Sequence, residues 1–335
     1  MKIVRTDAEL QVPATEATLR AAGHDVISLP DGIGEDGLIA AVRDADLLLM
    51  CYTPVTSRVI DAAAKLRGIV KYGVGIDAID IPAAKARGIT VVNIPEYAEE
   101  TVAEGAFALM IALARKLVPL DRKMRAEGWA WPEPAWLGSD IAGKTVGIVG
   151  FGRIGRSMAR MCGAGFRANV MAYSPHTPAG EMEAAGVTRC DSLHDLLARS
   201  DMVSIHCVLN DSTRHLIGEA ELRAMQPHAH LINVSRGAIV DEAALLRALQ
   251  EGWIAGAGLD VFGDEPLRRD GHMMSPLFGM DNVILSPHLT FYTAEAMERM
   301  ERETLERCNE MLEGRPVLIK SGDPRLQGQP GARYP

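Results

Sequence analysis

Short apolar runs alternate along this chain with stretches whose apolar residues recur every three or four positions. In the first hundred residues the runs at 2–5, 26–29, 47–51, 69–72 and 90–92 read as strands. The intervening segments 14–22, 37–44, 57–64 and 81–86 carry helical spacing. Strands without polar alternation are buried on both faces, so this β-α series predicts a parallel sheet with helices on either side. Pro95 interrupts it. The next segment, TVAEGAFALMIALARKL at 101–117, is apolar nearly all round and is expected as a buried helix. Residues 128–140 carry Trp129, Trp131, Pro132, Pro134 and Trp136 and read as a long loop. A second β-α series follows, with strands at 144–149, 169–173, 202–206, 230–233, 254–259 and 283–285 and its clearest helix at 241–251. The last helix, 293–313, has a core stripe of Met297, Met300, Thr304, Cys308 and Met311, and Gly314 and Pro316 stop it.

Composition narrows the function classes. The 335 residues suggest two domains. The formal charge is 35 − 44 = −9, which argues against nucleic-acid binding but leaves room for an anionic substrate. The longest apolar run, Gly105 to Ala114, is half of the roughly twenty residues a membrane span needs. Residues 1–7 contain no apolar leader segment. The five cysteines are scattered, with no C-x-x-C pair. Neither a metal site nor a disulfide framework is expected, and a reduced cytoplasmic compartment fits.

Three stretches spell or approach a glycine-rich phosphate loop. Gly32–Gly37 places Glu35 and Asp36 where a diphosphate would sit, and Asp77 weighs against the stretch that starts at Gly73. The third, Gly150-Phe151-Gly152-Arg153-Ile154-Gly155, follows a strand and opens a helix. Gly150 suits the tight turn, Gly152 lets backbone approach a pyrophosphate, and Gly155 allows close helix–strand packing. The helix start adds unpaired N–H groups. Gly150, Gly152, Arg153, Ile154 and Gly155 are therefore expected to meet a dinucleotide. The following strand ends at Ser174, not at a carboxylate, with His176 and Thr177 nearby. No acid is present to repel a 2′-phosphate, and no local arginine to clamp one. The cofactor is read as NAD or NADP, leaning to NADP.

Arg236, Glu265 and His288 each follow an apolar strand, in NVSRG, LDVFGDEP and SPH. Ligands of open α/β sheets bind beyond the carboxyl ends of strands. On spacing alone, the three either share one site or are a surface Arg, a surface Glu and a capping His.

These motifs, together with GVGIDAID at 73–80 and TVAE at 101–104, resemble the D-isomer-specific 2-hydroxyacid dehydrogenase family over nearly the whole length. The resemblance implies an α/β architecture of two parts. One is a Rossmann-type, doubly wound cofactor domain at 101–290. The other is a discontinuous flavodoxin-like substrate domain, 1–100 with 291–335, and the cleft between them closes over substrate. It implies Arg236 as the carboxylate binder, His288 as the acid–base and Glu265 as its partner. Backbone N–H groups of Val74 and Gly75 would hold the substrate carboxylate, and Thr101 and Asp260 would lie near the nicotinamide. Tyr52 and Tyr292 are side-chain pocket candidates, with Tyr72 and Trp136. The connection at 129–136 resembles a dimer arm, with Trp136 reaching the neighbour's cleft. Three positions depart from the family pattern. Ser174 replaces an acid, Val208 replaces a proline in an adenosine-side loop, and Phe291-Tyr292 stands where a tryptophan is usual.

The implied activity is NAD(P)-dependent hydride transfer between a 2-oxo acid and a D-2-hydroxy acid, with glyoxylate and hydroxypyruvate as leading substrates. The partners implied are a small anionic acid and a second copy in a homodimer, without nucleic acid or membrane. Ending at residue 335, the chain is expected to lack the regulatory domain of longer phosphoglycerate dehydrogenases. The alternative is a dinucleotide-sensing binding protein of the corepressor-like branch.

Overall fold

The computed structural model describes residues 1–335. The chain separates into two compact units, Met1–Ala98 with Tyr292–Pro335, and Glu99–Phe291.

In the first unit, β1 (Lys2–Arg5), α1 (Pro13–Ala21), β2 (Asp25–Ser28), α2 (Glu35–Val42), β3 (Leu47–Met50), α3 (Ser57–Ala62), β4 (Gly68–Lys71), α4 (Ile81–Ala86) and β5 (Thr90–Asn93) alternate as the hydrophobic pattern predicts. The sheet is wholly parallel in the order β2-β1-β3-β4-β5. Strands β3, β4 and β5 are buried at every residue, which accounts for their uninterrupted apolar runs.

The second unit begins with α5 (Glu99–Ala114) and α6 (Leu117–Glu127). The sequence predicts one helix through 117. Lys116 instead adopts a left-handed conformation at φ 51°, which ends the first helix and redirects the chain into a second. There follow β6 (Thr145–Val149), α7 (Arg153–Arg160), β7 (Asn169–Tyr173), α8 (Ala179–Ala184), β8 (Thr188–Arg189), α9 (Leu193–Arg199), β9 (Met202–Ile205), α10 (Glu219–Ala224), β10 (His230–Asn233), α11 (Glu242–Glu251), β11 (Gly256–Leu259) and β12 (Val283–Leu285). Their order is β12-β11-β10-β9-β6-β7-β8, all parallel. The order reverses between β6 and β9, where doubly wound sheets open a binding crevice. Helix α5 buries Ala106, Leu109, Met110 and Leu113 and packs on β10, β11 and α7, all within this unit.

The chain returns to the first unit through α12 (Ala294–Leu312), which packs on α1, β3 and β4, followed by the short pair β13 (Val317–Leu318) and β14 (Ala332–Arg333). The predicted stripe faces the core except for Met297, which is half-buried, and the Met311 thioether lies against Gly68. The tail also closes the sheet edge. The buried Gln329 side chain accepts from Val91 N at 2.7 Å and donates to Val91 O at 2.8 Å, as a further strand would.

Candidate functional site

The glycine loop lies at the switch point of the second sheet. Gly150 follows β6 with φ 95°, a conformation that suits glycine. A Cβ there would stand 2.5 Å from the Cys207 backbone nitrogen, at the end of β9. A Cβ on Gly155 would collide with the Gly150 carbonyl oxygen, so helix and strand approach as closely as backbone permits. Above Gly152 no atom lies within 4 Å of a Cβ position, and this residue starts α7 without a side-chain cap. The first N–H groups of α7, from Arg153 onward, are therefore presented to open space at the positive end of the helix. Arg153 also pairs with Glu99 at 3.2 Å, and Ile154 is half-buried. The backbone is built to accept an anionic group.

Beyond β7, Ser174 Oγ lies 2.9 Å from Thr177 Oγ1, and His176 is exposed. The structure adds a residue that the local sequence does not show. Strand β8 pairs with β7 and brings Arg189 to this loop, where its guanidinium donates to Thr177 O at 3.4 Å and pairs with Asp191 at 3.1 Å. The two-residue strand is too short to register as a hydrophobic run. Val208 is exposed, and its carbonyl accepts from the Thr213 hydroxyl at 2.6 Å.

Three loops at the carboxyl ends of β10, β11 and β12 carry Arg236, Glu265 and His288. His288 Nδ1 lies 2.8 Å from Glu265 Oε2, with both side chains about one-third exposed at most. The other Glu265 oxygen accepts from Phe262 N at 2.8 Å. Burial pushes the Glu265 carboxyl up. The His288 hydrogen bond and charge, the Phe262 N–H and the Arg236 charge outweigh it and hold the group below the usual carboxylate range. Glu265 is thus a fixed anion beside the imidazole, and Arg236 acts on it electrostatically. The Arg236 guanidinium donates to Ser235 O at 2.7 Å, while Asn233 Nδ2 donates to Arg236 O at 3.0 Å and sets the turn. Phe291 meets the His288 ring edge-on, with centroids 6.4 Å apart.

The His288 loop is itself held from below. Asp260 is buried, and its carboxylate accepts from Leu289 N at 2.9 Å, Thr290 N at 3.1 Å and the Thr290 hydroxyl at 2.6 Å. Thr290 also packs on Gly105 of α5, where a Cβ would stand 2.6 Å from the threonine Cβ. His288 has φ 58°, a left-handed conformation that a non-glycine residue keeps only when its surroundings enforce it. Asp260, Thr290 and Gly105 are that enforcement. Thr101 is buried in the first turns of the same helix.

Val74, Gly75, Tyr52 and Tyr292 belong to the first unit. Val74 and Tyr52 are each 40% exposed at the carboxyl end of its sheet, and Tyr292 is exposed. Asn93 Nδ2 donates to Val74 O at 2.6 Å and fixes the loop. Tyr72, by contrast, is fully buried with its hydroxyl on Thr6 O at 2.6 Å, so it is a core residue and not a pocket wall. Trp136 lines a cavity of about 550 Å³ at the strand starts of the second unit, with Leu113 and Met202, and its indole nitrogen is buried without a hydrogen-bond partner.

A model of the NAD-binding domain of D-isomer specific 2-hydroxyacid dehydrogenases matches residues 107–290. The glyoxylate reductase of Korarchaeum cryptofilum is 43% identical over 272 residues, which span 80% of each chain. Among solved structures, D-lactate dehydrogenase of Aquifex aeolicus, complexed with NAD and lactic acid, superposes with a TM-score of 0.83 at 29% identity, covering 93% of this chain and 96% of that one. An acyclic imino acid reductase in complex with NADPH and D-Arg gives a TM-score of 0.82 at 30% identity, covering 93% and 97%.

Proposed function

Because this chain belongs to the D-isomer-specific 2-hydroxyacid dehydrogenase family, we propose that Arg236, Glu265 and His288 are its catalytic set. The family reaction is the NAD(P)-dependent interconversion of a 2-oxo acid and a D-2-hydroxy acid. The single observation that carries the assignment is the 2.8 Å contact of His288 with an ionised Glu265 in loops beyond the strand ends.

The chemistry follows from the orientation of the His288 ring. Glu265 occupies Nδ1 of His288, so proton exchange with substrate runs through Nε2. In reduction, Nε2–H donates to the substrate carbonyl oxygen, which gains negative charge in the transition state. The imidazolium is stabilised by the Glu265 anion as it forms and before it gives up the proton. In oxidation, neutral His288 takes the hydroxyl proton. Arg236 offers a planar, permanently charged fork to the substrate carboxylate. From the first unit we assign the backbone N–H groups of Val74 and Gly75 to the same carboxylate, and Tyr52 and Tyr292 to the substrate side chain. The first unit is read as the substrate domain, the second as the cofactor domain.

The residues present fit a dinucleotide. Gly150, Gly152, Arg153, Ile154 and Gly155 would hold its pyrophosphate at the start of α7, Val208 would border its adenosine, and Thr101 and Asp260 would lie near the nicotinamide. When bound, the nicotinamide supplies or accepts the hydride. We infer a preference for NADP, because Ser174, His176 and Thr177 leave room for a 2′-phosphate and Arg189 stands beside them. A functional homodimer is proposed from exposed apolar residues in and before the 128–140 connection: Leu117, Trp129, Trp131 and Leu137 are 52–79% exposed. A monomer in sedimentation at micromolar concentration would rule that dimer out. No helix is long and apolar enough to cross a membrane, and all five cysteines are free thiols, in keeping with a cytoplasmic location.

Glyoxylate and hydroxypyruvate are the substrates proposed, with pyruvate as the comparison. The test is consumption of NADPH and of NADH with each acid. Turnover of glyoxylate or hydroxypyruvate supports the reading, and its absence with all three acids and both cofactors overturns it.

A further inference from the structure

The first unit holds a buried cation that the chemistry above does not use. Lys71, the last residue of β4, is 6% exposed. Its ammonium lies 2.9 Å from the Cys51 thiol and 5.4 Å from the centre of the Tyr52 ring. Burial pushes the Cys51 thiol up, and the nearby Lys71 charge only partly offsets this, so the sulfur stays protonated and is no counter-ion at neutral pH. No carboxylate lies within ion-pair distance of Lys71. Asp7, whose partners include Cys51, has both oxygens engaged by five donors: Thr6 Oγ1, Cys51 N, Tyr52 N, Thr53 N and Thr53 Oγ1. Withdrawing an ammonium from water costs several kcal/mol unless an anion compensates it.

Two further features locate that anion. The sheet order reverses between β1 and β3, so the crevice expected of such a sheet opens at their carboxyl ends, where Cys51 and Tyr52 lie. The ammonium also rests against the loop that follows β4. A Cβ on Gly73 would stand 2.7 Å from Lys71 Nζ. Gly73 leads directly into Val74 and Gly75, whose N–H groups are assigned to the substrate carboxylate.

We propose that Lys71 is a substrate-recognition residue, the cation that makes the 73–75 loop attract the carboxylate of a small 2-oxo acid. The cation–π contact with Tyr52 and the neutral thiol hold the ammonium in place without quenching its charge. The proposal rests on the assignment of this loop to the carboxylate.

Two variants test it, with glyoxylate as substrate and oxalate as a non-reacting probe. Lys71→Met keeps the length and removes the charge. Cys51→Asp keeps Lys71 and gives it a carboxylate partner. Each is expected to raise the KM for glyoxylate and the inhibition constant of oxalate about tenfold or more. kcat at saturating glyoxylate and the KM for reduced cofactor should stay within about threefold. A merely structural lysine predicts the opposite for Cys51→Asp, a new ion pair with unchanged KM. Arg236→Gln is run alongside. If it raises the glyoxylate KM while Cys51→Asp does not, the Lys71 proposal is overturned and the Arg236 assignment stands, whether or not Lys71→Met folds. If Arg236→Gln leaves KM unchanged, the site reading falls and takes the Lys71 proposal with it.

Discussion

Asp260→Asn removes one charge and one acceptor from beneath the His288 loop. The aspartate oxygens receive three hydrogen bonds, from Leu289 N, Thr290 N and Thr290 Oγ1. Bonds to an ionised acceptor each contribute about 1.5–3 kcal/mol, against roughly 0.5–1.5 for neutral ones. An asparagine has a single acceptor oxygen. If that oxygen takes the two Thr290 donors, its NH2 faces the Leu289 N–H, donor against donor. The loss at the loop is then about 2–4 kcal/mol. His288 sits next to these bonds in a left-handed conformation, so the loss is felt first as misplacement of the imidazole. At about 1.4 kcal/mol per factor of ten, kcat/KM for oxo-acid reduction should fall roughly 30- to 700-fold. The assay is steady-state reduction, with Tm measured in parallel and amide exchange followed at Leu289 and Thr290. Exchange there should accelerate while the amides of β10 stay protected. A variant with kcat/KM within about threefold of wild type and unchanged exchange would refute the claim that Asp260 positions His288.

Glu265→Gln removes the anion that orients the His288 ring through Nδ1, so kcat/KM for oxo-acid reduction should fall roughly tenfold or more, and an unchanged value would dismiss the dyad. Ser174→Asp should weaken NADPH and improve NADH by placing a carboxylate at the adenosine ribose, whereas unchanged constants for both would remove this loop from cofactor choice. His206 is held neutral in the fold, where burial pushes it down to about 3. The unfolded chain binds this proton near pH 6.5, so stability falls with pH below that value by about 1.4 kcal/mol per unit. His206→Gln should flatten that loss in denaturant titrations between pH 6 and 4, and an unchanged slope would show that His206 does not set it.

Strands such as Leu47–Met50 and Thr145–Val149 were legible because they are apolar runs buried almost throughout, whereas the exposed two-residue β8 was not. The glycine loop was legible because turn, backbone approach and helix start are consecutive in sequence. What lay hidden depends on contacts between distant segments. The support of His288 by Asp260 spans 28 positions, and Gly105 is an ordinary helix residue until Thr290 is placed on it. Arg189 reaches the Ser174 loop only through strand pairing. The break at Lys116 is invisible in an unbroken helical pattern, because one left-handed residue changes no hydrophobic period. Tyr72 had the composition of a pocket wall, and only packing shows it to be core.

The account stands most directly on Arg236. The decisive measurement is kcat/KM for glyoxylate in wild type and Arg236→Gln, with the KM for reduced cofactor determined in the same series. Removing one partner of a buried charge pair costs about 2–5 kcal/mol, which predicts a fall of roughly 30- to 4000-fold with the cofactor KM unchanged. A fall below about fivefold would contradict the assignment of Arg236 to the substrate carboxylate, and with it the site built around His288 and Glu265.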